Sequence, residues 1–574
     1  MIYLDLKKYS NSKNFIKIVR LNDLEDKMNG YDAIVEILKK EGFKWLACFP
    51  ANPLIEAAGK GGLRPIVFRQ ERGGIMAADG YSRMLAREGK RGVFCCQGGP
   101  GVENSFGGIA QAWADSVPIL FLPDGSASNV SDVKPHFNPQ TNYSEITKWR
   151  SSIINGSDIT KQMRRALSAL KNGRPGPVLL EMRRDAMAQE LDNVDDYKSP
   201  NQILSSPSKS DIKDAVDALS KAKNPVIWAG QGILYAGATE ELKLFAEIMQ
   251  IPVLTTMPGK SGFDERHPLA LGAANRTAPK GVWAWLKESD VLIGLGTSFS
   301  KTNYGIDIPE GKFLIHNTNN IEDISKEYPT EVGLLGDAKV TLDLLIEEAK
   351  SQFGDSRSKD TKTSEAIAQV KKEWNDEWSS LLNSSDIPIN PYRLVSEINK
   401  TVDHENTIMT HDAGHPRDQI MPFYPATVPG SYIGWGKTTH LGYGIGLMIG
   451  AKMAHPDKFC VNFMGDAAFG MAGLDIETSV RSGNPITTIV LNNGTMGGYN
   501  HHQPTAMEVF GAGNMTGSYS TVATGLGALG IDVEKPEEIG PAIKKAQEAN
   551  SNGQSALLDV KTQQEDKFSQ YPLN

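Results

Sequence analysis

Apolar residues recur along most of the chain in two alternating patterns, one with helical spacing and one made of short continuous runs. The first helical pattern begins at Gly30 and extends through Leu38. The short runs that follow are Pro65–Phe68, Gly92–Cys96, Pro118–Leu122 and Pro177–Glu181. Short apolar runs that alternate with helices are typical of a parallel sheet buried between crossover helices.

Two polar segments without periodicity divide the chain, and we expect linkers at 189–209 and 351–370. Between them lies a second series of apolar runs: Pro225–Trp228, Pro252–Leu254, Asp290–Ile293 and Lys312–Ile315. A third unit of the same kind follows. The pattern therefore predicts an α/β fold with three doubly wound parallel-sheet domains. Their expected bounds are 28–188, 210–350 and 371–574, after an N-terminal extension at 1–27.

Composition and charge exclude several classes of protein. The 574 residues are 40% hydrophobic and 22% charged, so neither a disordered nor a fibrous chain is expected. A formal net charge of −8 leaves no basic excess, and we expect no nucleic-acid partner. The apolar runs fall far short of the roughly 20 residues that span a bilayer, so we expect no membrane partner. Four cysteines without a zinc or disulfide pattern favour a cytoplasmic location.

Two run ends in the third unit carry the most informative chemistry. One apolar run leads into Gly465, Asp466, Ala467 and Ala468, and the next leads into Asn493. Open α/β sheets bind ligands at the carboxyl ends of their strands. A carboxylate and an amide oxygen suit Mg²⁺, and the small alanines would let backbone N–H groups approach a phosphate. Taken singly, each half also fits a helix-capping Asp or an Asn-Gly turn.

Together the two halves resemble the G-D-G…N-N signature of thiamine-diphosphate-dependent enzymes. Asp466 and Asn493 lie 27 residues apart. In that family the Asp, the second Asn and a backbone carbonyl two residues further on hold the magnesium, and the matching residues here are Asp466, Asn493 and Thr495. Ala467 replaces the usual third Gly, a change between small residues. The resemblance therefore implies bound thiamine diphosphate and Mg²⁺.

The resemblance extends over nearly the whole chain and is closest to the acetolactate synthase and pyruvate decarboxylase group. Residues 69–83 are similar to the R-x-E…A-x-G-Y-A-R run of that group, and residues 98–104 match its G-P-G-x-x-N turn. The match identifies Glu71 as the activating glutamate and implies that Gly99 and Asn104 lie beside the cofactor. Such a glutamate hydrogen-bonds the aminopyrimidine and favours the imino tautomer, which removes the thiazolium proton.

Residues 436–446 match the family segment that lies against the cofactor. Leu441 lies 25 residues before Asp466, where acetolactate synthases have a bulky apolar residue. The resemblance implies that Leu441 wedges between the two cofactor rings and that Thr439 also binds the cofactor.

Four further residues are candidates for the substrate side of the site. Gln97 aligns with a position where relatives have polar groups near the reacting carbon. His501 and His502 follow Asn493 closely enough to cover the site, and a histidine near neutral pKa suits proton transfer. Tyr499 occupies the place of the catalytic glutamate of pyruvate decarboxylases. For each of these residues a packing or solvated role is the alternative.

The second unit resembles the central domain of the family, where some relatives bind FAD or ADP through an acidic residue after the fourth strand. Here residues 316–320 read His-Asn-Thr-Asn-Asn, without an acidic residue. Two strand-end glycine pairs nearby do not complete G-x-G-x-x-G. We therefore expect neither FAD nor ADP in the central domain.

The resemblance implies an acetolactate synthase-like enzyme that decarboxylates, ligates or cleaves a 2-oxo acid or related small-molecule acyl donor. One alternative is a 2-hydroxyacyl-CoA lyase or oxalyl-CoA-type decarboxylase. Another is a catalytically silent cofactor-binding subunit. Because family sites combine the pyrimidine domain of one subunit with the diphosphate domain of another, we expect a homodimer at least and a homotetramer as the full assembly.

Overall fold

A computed structural model describes residues 28–131, 133–357 and 361–573. The expected N-terminal extension lies outside the described residues. These form three sheets of six strands each, and the named strands pair in parallel throughout. The predicted α/β fold with three parallel-sheet domains is therefore confirmed. In the part of the chain that the structure describes, no helix is both long and apolar enough to cross a membrane.

The first domain contains the apolar runs predicted between residues 65 and 181. Its strands are β1 (Trp45–Cys48), β2 (Arg64–Val67), β3 (Gly92–Cys96), β4 (Ile119–Gly125), β5 (Trp149–Ile153) and β6 (Val178–Arg183). Its helices are α1 (Gly30–Lys40), α2 (Asn52–Lys60), α3 (Glu71–Leu85), α4 (Pro100–Ala114), α5 (Pro139–Asn142), α6 (Ile159–Lys171) and α7 (Arg184–Met187). The strand order is β2-β1-β3-β4-β6-β5, and the central strands β1, β3 and β4 are buried along their whole length.

The central domain follows an irregular segment at 188–208. Its strands are β7 (Val226–Ala229), β8 (Val253–Thr256), β9 (Ala270–Ala274), β10 (Val291–Leu295), β11 (Phe313–Thr318) and β12 (Val332–Leu335). Its helices are α8 (Lys209–Lys221), α9 (Gly232–Ala236), α10 (Thr239–Met249), α11 (Lys280–Glu288) and α12 (Ala338–Phe353). The strand order is β12-β11-β10-β7-β8-β9.

The third domain carries the two informative strand ends. Its strands are β13 (Thr407–His411), β14 (Tyr432–Ile433), β15 (Phe459–Gly465), β16 (Thr487–Asn492), β17 (Leu529–Val533) and β18 (Ala556–Lys561). Its helices are α13 (Lys362–Leu382), α14 (Pro391–Thr401), α15 (His415–Ile420), α16 (Gly444–Ala454), α17 (Asp466–Ala472), α18 (Asp475–Ser482), α19 (Tyr499–His502), α20 (Pro504–Phe510), α21 (Tyr519–Gly525) and α22 (Ile539–Ser551). The strand order is β14-β13-β15-β16-β18-β17, which places β15 and β16 side by side at its centre.

The second expected linker, 351–370, differs from the structure, because α12 extends to Phe353 and α13 begins at Lys362. Helix α13 buries a single stripe formed by Ile367, Trp374 and Trp378. Most of that stripe lies beyond residue 370, so the polar first turns carry little periodicity of their own.

Glycines allow the first and third domains to pack closely against each other. Helices α3 and α16 pack along each other, and a Cβ atom on Gly80 would collide with the backbone of Leu447. A Cβ on Gly450 would likewise collide with the backbone of Ala77. The two helices approach this closely only because these positions lack side chains.

Candidate active site

The carboxyl ends of two neighbouring strands bring the predicted metal ligands together. Strands β15 and β16 pair in parallel to the end of β15. Asp466 begins α17, and Asn493 directly follows β16. The Oδ2 atom of Asp466 accepts a hydrogen bond from the Gly494 N–H at 3.0 Å. The structure therefore places Asp466 against the loop that contains Asn493 and Thr495.

Asp466 is a buried carboxylate, only 4% exposed. Its Oδ1 accepts from the Ala467 N–H at 2.7 Å. Burial raises the pKa of Asp466 above its usual value, and the N–H groups of Ala467 and Gly494 offset part of that shift. A divalent cation at this carboxylate would reverse the shift, because it favours the charged form.

The oxygen atoms at this edge of the sheet are suitable ligands for Mg²⁺. The Oδ1 atom of Asn493 lies 3.1 Å from the Thr495 N–H, from which it accepts a hydrogen bond. Thr495 is buried, and its hydroxyl has no hydrogen-bond partner among the described residues. In the described ranges no three His, Cys, Asp or Glu side chains gather as a metal site. A carboxylate, an amide oxygen and a backbone carbonyl are the hard donors that Mg²⁺ accepts together with phosphate and water.

Small residues surround this carboxylate. Gly465 precedes α17, and Ala467 and Ala468 lie in its first turn. The N-cap residue Gly465 has no side chain, and the only side chain that the preceding contacts place on the first turn is that of Asp466, which accepts from the Ala467 N–H. The backbone N–H groups of this turn are therefore not covered by bulky side chains, which is the arrangement that a diphosphate group requires.

Glu71 is a buried carboxylate of the first domain. It is the first residue of α3 and is 2% exposed. Its Oε2 accepts a hydrogen bond from Asn104 Nδ2 at 3.1 Å. A Cβ atom on Gly101 would lie 2.9 Å from the Gln97 side chain and 3.3 Å from Glu71 Oε1. Gly99 has a φ of 67° and starts α4, which carries Asn104 to this place. The structure thus brings Glu71, Gln97 and Asn104 close together.

Burial raises the pKa of Glu71 above its usual value, although its own backbone N–H and the Asn104 side chain act in the opposite direction. A carboxyl group with a raised pKa holds and releases a proton nearer neutral pH than an exposed glutamate does. This property suits a group that exchanges a proton with a heterocyclic nitrogen.

The strip formed by residues 436–441 runs between the first and third domains. Thr439 adopts a φ of 50°, a left-handed conformation that costs a β-branched residue roughly 1–3 kcal/mol. Leu441 is partly buried and packs against the core shared by the two domains. The residues that follow Leu441 are held by Asp412. Its carboxylate accepts from the N–H groups of Gly442 and Gly444, both at 2.9 Å. Other parts of the structure therefore hold this strip in a strained conformation.

Arg72 connects the start of α3 to the third domain. Its guanidinium lies 2.9 Å from His440 Nε2 and donates to the Met471 carbonyl at 2.8 Å. Met471 belongs to α17, whose first residue is Asp466. The start of α3, the strip and α17 are consequently neighbours within one chain.

The predicted histidines occupy different surroundings. His501 is exposed and pairs with Asp566, Nε2 to Oδ2 at 3.0 Å. His502 is exposed, and its ring lies 3.3 Å from the position of a Cβ on Gly498. His502 therefore borders the loop that follows Asn493, whereas His501 faces solvent in the single chain. Tyr499 packs near Gly513, where a Cβ would lie 2.9 Å from its ring.

His415 is a site residue that the sequence did not single out. It begins α15, and its ring is 2.9 Å from the position of a Cβ on Gly497. Burial lowers the pKa of His415, so the ring is neutral at neutral pH. The sequence does contain a signal for His415. Asp412, Gly414 and His415 follow the apolar strand β13 in the same way that Asp466 follows β15. Gly414 has a φ of 84°, which a glycine tolerates.

The residues around Glu71 reach the surface of the single chain at Asn104. Asn104 is exposed although its partner Glu71 is buried, and Phe106 on the same helix is 40% exposed. Met471 and Leu474 of the third domain are also large exposed apolar residues.

A separate cavity of about 210 Å³ lies between the first and central domains. Asn317, at the end of β11, accepts from the Gly296 N–H and donates to the carbonyls of Leu334 and Gly336. The lining carboxylate of Asp323 is engaged by Arg174 at 2.6 Å and by Lys326 at 2.9 Å. Hydrogen bonds and ion pairs within the protein therefore engage the Asn317 and Asp323 side chains that line this cavity.

Three family models match the chain domain by domain. The thiamine pyrophosphate enzyme N-terminal TPP binding domain matches residues 28–146. The thiamine pyrophosphate enzyme central domain matches residues 212–345. The C-terminal TPP binding domain matches residues 412–560. The matched ranges contain Glu71 in the first model and Asp466 in the third.

Curated relatives align over nearly the full length. A probable acetolactate synthase large subunit of Methanococcus aeolicus is 30% identical and covers 90% of each chain. The acetolactate synthase large subunit of Corynebacterium glutamicum is 29% identical, over 92% of this chain and 86% of its own. A glyoxylate carboligase of Escherichia coli O157:H7 is 28% identical, over 91% and 90% respectively.

Proposed function

The chain belongs to the thiamine pyrophosphate enzymes, and from this premise we propose that it decarboxylates or cleaves a small 2-oxo acid or related acyl donor and transfers the remaining fragment. It is an acetolactate synthase-like enzyme that forms or breaks C–C bonds. Thiamine pyrophosphate and thiamine diphosphate are two names for the same cofactor. When bound, this cofactor supplies a nucleophilic carbon that attacks the donor carbonyl.

The proposal rests above all on one observation, the contact between Asp466 and the loop after β16. Asp466, Asn493 and the Thr495 carbonyl would hold Mg²⁺, and the first turn of α17 would receive the diphosphate. These groups only bind the cofactor. A buried Glu71 held by Asn104 adds a proton-exchanging group, which a protein that merely stored the cofactor would not need.

We assign the remaining residues by position. Leu441 and Thr439 would contact the cofactor from the strip, and Gln97 would lie on the substrate side of Glu71. His502 borders the metal loop and is the histidine placed to move a proton at the substrate. His501, exposed and paired with Asp566, would do so only if a partner subunit or substrate covers it.

The substrate assignment rests on what the chain lacks. Acetolactate synthases that prefer 2-oxobutyrate as acceptor have a tryptophan shortly after the Asn-Asn pair, and residues 494–530 contain none. Tyr499 stands where pyruvate decarboxylases have a catalytic glutamate. We therefore propose an enzyme without FAD that shows no preference for 2-oxobutyrate over pyruvate as acceptor.

Four free, buried cysteines support a cytoplasmic location.

A homodimer would complete the site, with the open pyrimidine pocket of one subunit facing the diphosphate edge of the other, and a homotetramer would follow from pairing of dimers. Mixing two inactive variants tests this arrangement. A hybrid of a Glu71→Gln subunit and an Asp466→Ala subunit contains one site with both residues intact if the site spans subunits. Random mixing should then restore about a quarter of the parental activity. If the site lies within one chain, every site keeps one defect and no activity returns.

Calorimetric titration tests the function itself. Thiamine diphosphate should bind the parent protein only weakly without Mg²⁺ and tightly with it, because the metal links Asp466 to the diphosphate. Asp466→Ala should remove the Mg²⁺ dependence together with most of the affinity. The control is Glu265→Gln, which alters a carboxylate between the central and third domains that accepts from the Ala426 N–H. Unchanged affinity in Asp466→Ala would refute the metal assignment.

A further inference from the structure

The strip 436–441 is held by side chains from the first domain rather than by its own domain alone. The Asp115 carboxylate accepts from the Gly436 N–H at 2.9 Å and from the Lys437 N–H at 3.0 Å. Each of its two oxygens thus takes one backbone donor. These two hydrogen bonds join residues that are 321 and 322 positions apart in the sequence.

A second side chain of α4 holds the next part of the strip. The Oε1 atom of Gln111 accepts from the Thr438 hydroxyl and from the His440 N–H, both at 3.0 Å. Gln111 is fully buried, and its Nε2 has no partner among the described residues. Its side chain is therefore fixed in the structure by these two acceptor bonds.

The two residues bracket the strained position. Bonds to Gly436 and Lys437 lie before Thr439, and the bond to His440 lies after it. A non-glycine residue persists in the left-handed region only when its surroundings over-determine the conformation. Here those surroundings come from Asp115 and Gln111 of α4 and its end.

Asp115 is itself fixed by a buried ionic network. Arg83 donates to Asp115 at 2.9 Å and to the Gly434 carbonyl at 3.1 Å, and it also pairs with Asp79. Tyr443 donates to Asp79 at 3.0 Å, which ties the network to the chain just beyond Leu441. The carboxylates of Asp79 and Asp115 are fully buried. A network whose members are all satisfied is rigid, because any displacement leaves a buried charge unpaired.

We propose that Asp115 and Gln111 are positioning residues that hold strip 436–440 in its strained turn and thereby set Leu441 against the cofactor. This inference rests on the proposed function. It assigns to the pyrimidine domain a second task besides that of Glu71, which is to shape the part of its own chain's diphosphate domain that precedes Leu441.

The first measurement needs no cofactor. In the apoprotein of Asp115→Asn, hydrogen exchange at the Gly436 and Lys437 amides should accelerate at least about tenfold, since a bond to a charged acceptor is lost. Gln111→Met keeps the side-chain volume and removes the acceptor. It should accelerate exchange at the His440 amide while the ionic network stays intact.

The second measurement uses the protein saturated with thiamine diphosphate and Mg²⁺. Both variants should slow proton exchange at the reactive thiazolium carbon by about a hundredfold, because a misplacement of roughly 1 Å costs that much. The value of kcat should fall in parallel, whereas KM for the acyl donor should change little. A merely structural role would lower the melting temperature without this split.

Glu265→Gln is the matched control. Like Asp115, Glu265 accepts a backbone N–H of the third domain across a domain boundary, at Ala426, but it does not touch the strip. It should leave thiazolium exchange at the parental rate.

Two results would overturn the positioning role. One is faster amide exchange in both variants with parental thiazolium exchange. The other is an equal loss in Glu265→Gln. If Asp115→Asn fails to fold, Gln111→Met decides alone. A parent protein that does not itself accelerate thiazolium exchange refutes the proposed function, a distinct outcome.

Discussion

Replacing Glu71 with Gln separates the chemistry of this side chain from its packing. Gln has nearly the same shape, and its amide oxygen can still accept from Asn104, whose bond to Glu71 is 3.1 Å long. What Gln lacks is the ability to take up and return a proton. General acid–base catalysis contributes about 10²–10⁴-fold to a rate. The proton exchange at the thiazolium carbon should therefore slow by about 10²–10⁴-fold, or about 3 to 5 kcal/mol of barrier.

Although Glu71→Gln should slow proton exchange, it should not lower the stability of the folded protein. Burial raises the pKa of Glu71, so the folded state favours the protonated carboxyl more than the unfolded chain does. A group with a raised folded pKa contributes stability below its unfolded pKa and loses that contribution as pH rises through the folded pKa. Above its unfolded pKa, Glu71 therefore works against folding. Glu71→Gln should keep or raise the melting temperature of the apoprotein at pH 7, with less effect near pH 4.

The assay is acid-quenched NMR of deuterium exchange at the thiazolium carbon, with cofactor saturation checked by calorimetry. Glu265→Gln, the same substitution at a partly buried glutamate that pairs with Lys260, is the control and should exchange at the parental rate. Exchange in Glu71→Gln as fast as in the parent would refute the role of Glu71. A lower melting temperature with a proportional loss of cofactor affinity would show that Glu71 serves packing instead.

The remaining predictions concern the metal, the cavity, the acceptor and the strained turn. Chelation of Mg²⁺ with EDTA should lower the melting temperature of the loaded parent but not of Asp466→Ala, because only bound ligand stabilises the fold. The supernatant of the denatured protein should contain thiamine diphosphate and no flavin by mass spectrometry; stoichiometric FAD would overturn our interpretation of the cavity. Steady-state assays should give similar rates with pyruvate and 2-oxobutyrate as acceptors, and a marked preference for 2-oxobutyrate would restore the ordinary acetolactate synthase assignment. Thr439→Gly should not lower the melting temperature by more than the equivalent of about 1 kcal/mol, since glycine adopts positive φ without strain; a larger loss would show that the Thr439 side chain is itself needed.

Local pattern predicted most of the buried strands, including β15 and β16, whose ends carry the proposed metal ligands. Asp466 and Asn493 each follow a continuous apolar run, and parallel pairing of those runs brings the two residues together. Strands that lie at sheet edges or are built of small residues escaped the same criterion. In β5 only Ile153 is fully buried, and β9 reads Ala-Leu-Gly-Ala-Ala. Neither forms a run of large apolar residues.

Contacts between distant parts of the chain could not be predicted from local pattern. Asp115 closes α4 like an ordinary helix-terminal residue, and nothing in its neighbourhood indicates that it binds backbone at Gly436 and Lys437. The resemblance supplied Glu71 and Leu441 because family motifs contain them. It did not supply His415, whose place beside Gly497 depends on how the loops after β13 and β16 fold together.

The most direct test of the central claim is carbon dioxide release from 2-oxo acids by apoprotein reconstituted with and without thiamine diphosphate and Mg²⁺. The account predicts that release from pyruvate or another small 2-oxo acid requires both additions and falls by about 10²-fold or more in Glu71→Gln. Tight cofactor binding without release from any 2-oxo acid, in a parent protein that also fails to accelerate thiazolium proton exchange, would contradict it.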